Sequence, residues 1–101
     1  MRRGTTPTHT FTTDSDLTGA EVIFVTYQQF GKTVLEKTID EITVEAGAIT
    51  VKLSQAETLL FSEKPDEAVR IQIRARWPDG SAVASNIVQI PAKEILKEGE
   101  I

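Results

Sequence analysis

One stretch of this chain constrains its fold more than any other: Val69-Arg70-Ile71-Gln72-Ile73-Arg74-Ala75-Arg76-Trp77, in which apolar and polar residues alternate without a break. A period of two sends alternate side chains to opposite faces of a strand, and a slip by one residue would expose every apolar side chain at once. The segment is predicted to be a half-buried strand. Val69, Ile71, Ile73 and Trp77 face inward, and Arg70, Arg74 and Arg76 face outward with Gln72.

The same period recurs along the chain. In Ala48 to Leu53 it places Ile49, Val51 and Leu53 inward and Thr50 and Lys52 outward. Glu21 to Gln28 is denser in β-branched and aromatic residues (Val22, Ile23, Phe24, Val25, Tyr27) and reads as a central strand with both faces at least partly covered. Gln29 to Lys32 is a hairpin loop, with Thr33 to Lys37 as the returning partner. Glu41 to Glu45 is an edge strand ending at Ala46-Gly47, where glycine permits the positive φ of a tight turn. Pro78-Asp79-Gly80 reverses the chain into a strand over Ala82 to Ile90. Thr8 to Thr13 is a first strand, followed by a polar turn over Asp14 to Gly19.

One internal segment reads as helical. Ser54-Gln55-Ala56-Glu57 has the capping-box spacing, in which the serine hydroxyl and the glutamate carboxylate each take a backbone N–H at the helix start. Leu59, Leu60 and Phe61 follow as its buried side. A second helix over Ala92 to Glu98 would be squeezed between Pro91 and Gly99, too short for cooperativity and expected to fray.

About seven short strands, with turn signals at close intervals and one short helical turn, make an all-β chain. An immunoglobulin-like antiparallel β-sandwich is the leading fold, and a small five- or six-stranded barrel fits the same periodicity. At 101 residues this is a single domain, 1–101, with a flexible N-terminal arm over residues 1–7 and a short charged tail over residues 92–101.

Composition narrows the chemistry. The absence of cysteine removes disulfides, thiolate catalysis, thiolate zinc sites and iron–sulfur clusters. With 11 basic and 15 acidic residues the net charge is −4, which argues against a nucleic-acid partner, because affinity for phosphate backbones comes mainly from Lys and Arg. No stretch approaches the roughly 20 apolar residues needed to span a bilayer, and no apolar run follows Arg2 and Arg3 as in a secretory signal, so no membrane association and synthesis in the cytoplasm are expected.

Few residues could carry chemistry. His9 is the lone histidine, in a threonine-rich strand. Asp14-Ser15-Asp16 could open a calcium loop, but it lacks the glycine and distal glutamate of an EF-hand and reads better as an Asx-rich turn. Glu63, Asp66 and Glu67 form an acidic cluster around Pro65, typical of a solvated connector. Arg70, Arg74 and Arg76 form a stripe that could grip a partner's carboxylates or phosphates. Alternatively they pair across the sheet with acids such as Glu36 or Glu45. No nucleophile elbow, phosphate-binding glycine loop or metal motif is present, so no enzymatic activity, metal or cofactor is expected.

The opening Met1-Arg2-Arg3-Gly4-Thr5-Thr6-Pro7-Thr8-His9-Thr10-Phe11 resembles that of a family of short proteins encoded among the tail and baseplate genes of phages and prophages of Gram-positive bacteria. Ile49 to Phe61 looks like the strand-then-helical-turn stretch of that family, and Arg74 to Gly80 suits its last hairpin. The family is similar to the immunoglobulin-like N-terminal domain of phage upper baseplate proteins, which attaches distal tail parts to the tail core. The resemblance implies a structural or adaptor role in a tail or baseplate. It places the protein in the bacterial host cytoplasm during assembly and in the virion tail thereafter. Phage tail or baseplate proteins, or further copies of this chain, would be its partners. Because the chain stops at Ile101, without the coiled-coil and receptor-binding portions of a full baseplate protein, direct receptor binding is not expected. The candidate partner-binding residues are Arg2 and Arg3 on the arm and Arg70, Arg74 and Arg76 on the stripe. The alternative is a small carbohydrate- or cell-wall-binding sandwich module that uses Trp77 and Tyr27.

Overall fold

A computed structural model describes residues 1–64 and 68–101 of the chain. It is an all-β antiparallel sandwich of two separate sheets, not a closed barrel. The strands are β1 (Thr8–Thr12), β2 (Val22–Gln29), β3 (Lys32–Thr38), β4 (Thr43–Glu45), β5 (Ala48–Lys52), β6 (Val69–Arg76), β7 (Ala82–Ala84) and β8 (Val88–Ile90), with a 3-10 turn over Ile39–Glu41 between β3 and β4 and one α-helical turn, α1 (Gln55–Thr58). The smaller sheet has the order β1-β5-β4. The larger runs β3-β2-β6, and both β7 and β8 lie along the far side of β6.

The core follows the alternation. On β6, Val69, Ile71, Ile73 and Ala75 are buried and Arg70, Arg74 and Arg76 are exposed, while Trp77 sits half-buried at the rim. Ile23, Val25 and Tyr27 on β2 meet Ile49, Val51 and Leu53 from the facing sheet, with Leu17 and Phe61 completing the cluster. The β2–β3 hairpin closes on Phe30 and Gly31 alone, at φ +57° and +72°. Two successive positive φ values match the right-handed twist of the flanking strands. At α1 the capping box is formed as expected: Ser54 Oγ accepts from Glu57 N at 3.1 Å, and Glu57 Oε1 accepts from Ser54 N at 2.8 Å.

Three expectations need correction. The strand over Ala82 to Ile90 is two strands. At Ser85 the backbone N donates to Ile73 O, while the side-chain Oγ accepts from Ile73 N. A hydroxyl thus replaces a ladder carbonyl, and the chain leaves the sheet until Val88. Of the apolar residues after α1, Phe61 is buried and Leu60 is exposed, because the helix makes a single turn before the chain departs.

The tail forms no helix, in line with its short span between Pro91 and Gly99, but the arm does not hang free, since the two use their backbones on each other. Met1 N donates to Pro91 O, Lys93 N to Met1 O and Arg3 N to Lys93 O, forming a parallel bridge between Arg2 and Lys93. Gly4 lets them approach: at φ +72°, a Cβ there would lie 2.8 Å from Ile95 Cδ1. The buried Thr58 hydroxyl donates to Thr5 O, tying the arm to α1.

Candidate functional site

The sandwich is closed on one flank and open on the other. On the open flank β1 pairs only with β5, and β7 and β8 pair only with β6, so the outer backbone edges of both walls have no strand partner among the described residues. Between them runs a cleft of about 850 Å³. Its apolar lining comes from Phe11 and Leu17 on one side and from Ile71, Ile73, Val83 and Val88 on the other. Val83, Ile87 and Val88 are 42%, 46% and 43% exposed, so this edge presents apolar side chains to solvent on a strand with unpaired amides.

The charge pattern of the edges decides how to read this. An exposed strand edge templates pairing with another chain, and soluble proteins commonly guard such edges with charges, especially lysine. The two edges of the closed flank are guarded: β3 carries the exposed Lys32 and Glu36, and β4 the exposed Glu45. The open flank has no such guard. Ser81 through Ala92 contains no charged residue, and Gly4 through Thr13 contains none apart from the titratable His9. Asp14 is the sole acidic residue in the lining.

At one end of the cleft His9 faces Tyr27, with Nδ1 and the hydroxyl 2.7 Å apart and the rings stacked at 5.8 Å. Burial pushes the Tyr27 phenol well above its usual range, helped by the Glu57 carboxylate, so the hydroxyl keeps its proton. Burial also lowers His9 below its ordinary value, and the positively charged N-terminal amine adds to this. The Tyr27 hydroxyl has no other partner among the described residues, so a neutral His9 accepts at Nδ1 and carries its proton on Nε2. The pair is uncharged, buttressing the β1 wall without adding charge to the cleft.

The anticipated site residues are dispersed. Arg3 is consumed internally, its side chain only 12% exposed. Its guanidinium donates to Phe61 O, Leu59 O, Glu63 and Glu98. The hydrogen bond it donates to Glu98 and the charges of Glu98 and Glu63 raise its pKa further, outweighing its burial. Arg2 is exposed and donates to Glu94 O. Arg70, Arg74 and Arg76 lie on the outer face of the larger sheet as expected, away from the cleft lining. Neither acid expected to pair with them does so. Arg76 meets Glu21 at 3.3 Å, because Glu36 lies beyond the intervening β2, where it accepts from Thr26, and Glu45 is on the other sheet.

Asp16 holds an Asx turn, its Oδ1 accepting from the Thr18 amide and hydroxyl, which lower its pKa. Glu63 pairs with Arg3, while Pro65, Asp66 and Glu67 lie outside the described residues. No group of acids and histidine able to hold a metal ion occurs among the described residues. No described helix is long and apolar enough to cross a membrane. Tyr27 has no exposed surface, which removes it from any sugar-stacking platform. Trp77 borders a shallow depression with Ser15, Pro78, Asp79 and Ser81.

Sequence reasoning missed Val83, Ile87 and Val88 as candidate site residues, although the charge-free run around them was readable. No family model, no curated protein and no solved structure matches this chain.

Proposed function

We propose that this chain is a non-enzymatic structural or adaptor protein of a phage or prophage tail or baseplate, and that it joins its neighbours through strand edges. The observation that carries the assembly part is the unguarded β7–β8 edge beside the apolar cleft. Unpaired amides with half-exposed valine and isoleucine side chains are the chemistry of β-strand addition, in which main-chain hydrogen bonds provide affinity and alternate side-chain pockets provide selectivity. The tail assignment rests on the family-like opening over Met1 to Phe11. Co-expression with the tail proteins encoded beside it tests the reading. Co-purification, together with presence in purified particles, is expected; failure of both sinks the tail assignment.

The second reading, a carbohydrate- or cell-wall-binding module, keeps only the depression at Trp77. Quenching or a blue shift of Trp77 fluorescence on titration with cell-wall oligosaccharides would favour it over the adaptor.

A further inference from the structure

We infer that the β7–β8 edge is a self-association surface that pairs antiparallel with the same edge of a second copy, giving one continuous sheet across a two-fold axis. The proposal deepens the assembly reading, on which it rests, by naming the partner.

Three observations select a second copy. The edge can meet itself without like-charge repulsion, because Ser81 to Ala92 carries no charge. An edge facing its own copy usually fails for that very reason when it carries lysines or acids. Arg70, Arg74 and Arg76 sit one strand inward on β6, and the other charges near the edge lie beyond its two ends, Asp79 before β7 and the Met1 ammonium, on Pro91 O, with Lys93 after β8. In the paired arrangement the two arginine stripes would lie about 14 Å apart, three strand spacings, which exceeds the screening length of about 8 Å at physiological salt. Finally, Val83 and Val88 line the cleft and are also exposed, so the same residues from a second copy would cover its mouth with matching apolar surface. The facing wall, β1, is equally neutral and offers no repulsion to the approaching strand.

The break at Ser85–Ile87 limits the ladder to the short runs Ala82–Ala84 and Val88–Ile90 on each copy. An edge-to-edge contact of this size is small by the standards of permanent dimers, so the association is reversible and concentration-dependent.

Sedimentation equilibrium of the purified chain, from micromolar to millimolar concentration, is expected to show a monomer–dimer equilibrium. Val83→Lys with Val88→Lys should weaken it by about tenfold or more while the circular dichroism stays unchanged, since both positions are already exposed. The cysteine-free chain allows a direct positional test. Asn86→Cys, midway along Ala82 to Ile90, should oxidise to a covalent dimer, whereas Thr43→Cys on β4 should not.

A monomer at every concentration overturns the proposal, as does a dimer that survives both lysines or one that cross-links equally at Thr43. Because the purified chain is tested alone, a dimer without co-purifying tail proteins would sink only the tail reading. A monomer that still co-purifies with them would sink only self-pairing.

Discussion

The two flanks of this sandwich solve the same problem in opposite ways. On the closed flank, polar side chains bridge segments far apart in the chain. Lys37 on β3 reaches Glu57 of α1, and Gln29 exchanges two hydrogen bonds with the backbone of Ser62. Burial opposes ionisation of Glu57, but Lys37 and the Ser54 amide outweigh it and hold its pKa below the usual carboxylate range. On the open flank the walls stand apart over an apolar floor, with the His9–Tyr27 pair as the polar contact between β1 and the larger sheet. Apolar packing alone leaves a flank available, whereas satisfied polar contacts shut it, because their buried groups would lose partners if the flank opened.

The largest expected effect comes from removing what both flanks share. Ile73 is 5% exposed, on the cleft floor and in the central strand. Ile73→Asp leaves an unpaired charge in the core at a cost of several kcal/mol, comparable to the stability of a small domain. Loss of cooperative thermal unfolding is expected, and a retained two-state melt would contradict the inward assignment.

Arg3→Ala breaks the clamp that holds the arm to the tail and to the segment after α1. It deletes charge-assisted hydrogen bonds to two main-chain carbonyls from a mostly buried guanidinium, a loss of about 2 kcal/mol. Chemical denaturation should show that loss, and amide exchange should rise first in the arm and tail while β6 stays protected. Equal exchange everywhere would mean that the clamp is not local.

Tyr27→Phe probes the open flank, removing one neutral hydrogen bond at a cost of about 1 kcal/mol in the same denaturation assay. The pH dependence should be gentler still. Because the folded protein holds His9 below the ordinary value of about 6.5, the unfolded chain binds more protons in that window. The contribution is complete above about pH 6.5 and is lost as pH falls through the depressed folded value. His9→Gln keeps an acceptor without titrating, so the slope of stability between neutral and mildly acidic pH should flatten. An unchanged slope would locate the acid sensitivity elsewhere.

Much of the fold was legible in the sequence because it depends on neighbours in the chain. The inward and outward sides of β6 follow from a strict period of two, the α1 cap from Ser54 and Glu57 three positions apart, and the β2–β3 hairpin from a glycine between two apolar runs. The candidate site was legible only in part. A run without charge from Ser81 to Ala92 is visible in the sequence, yet it marks an open edge only once β7 and β8 lie outermost and β1 stands across the cleft. Tertiary structure alone decided that Arg3 is an internal clamp, that the arm and tail share a backbone bridge, that Ser85 splits the last strand and that His9 meets Tyr27. Each of these joins residues separated by tens of positions or depends on a neighbouring strand. Local periodicity reports the face a side chain occupies but not which distant group it will meet there.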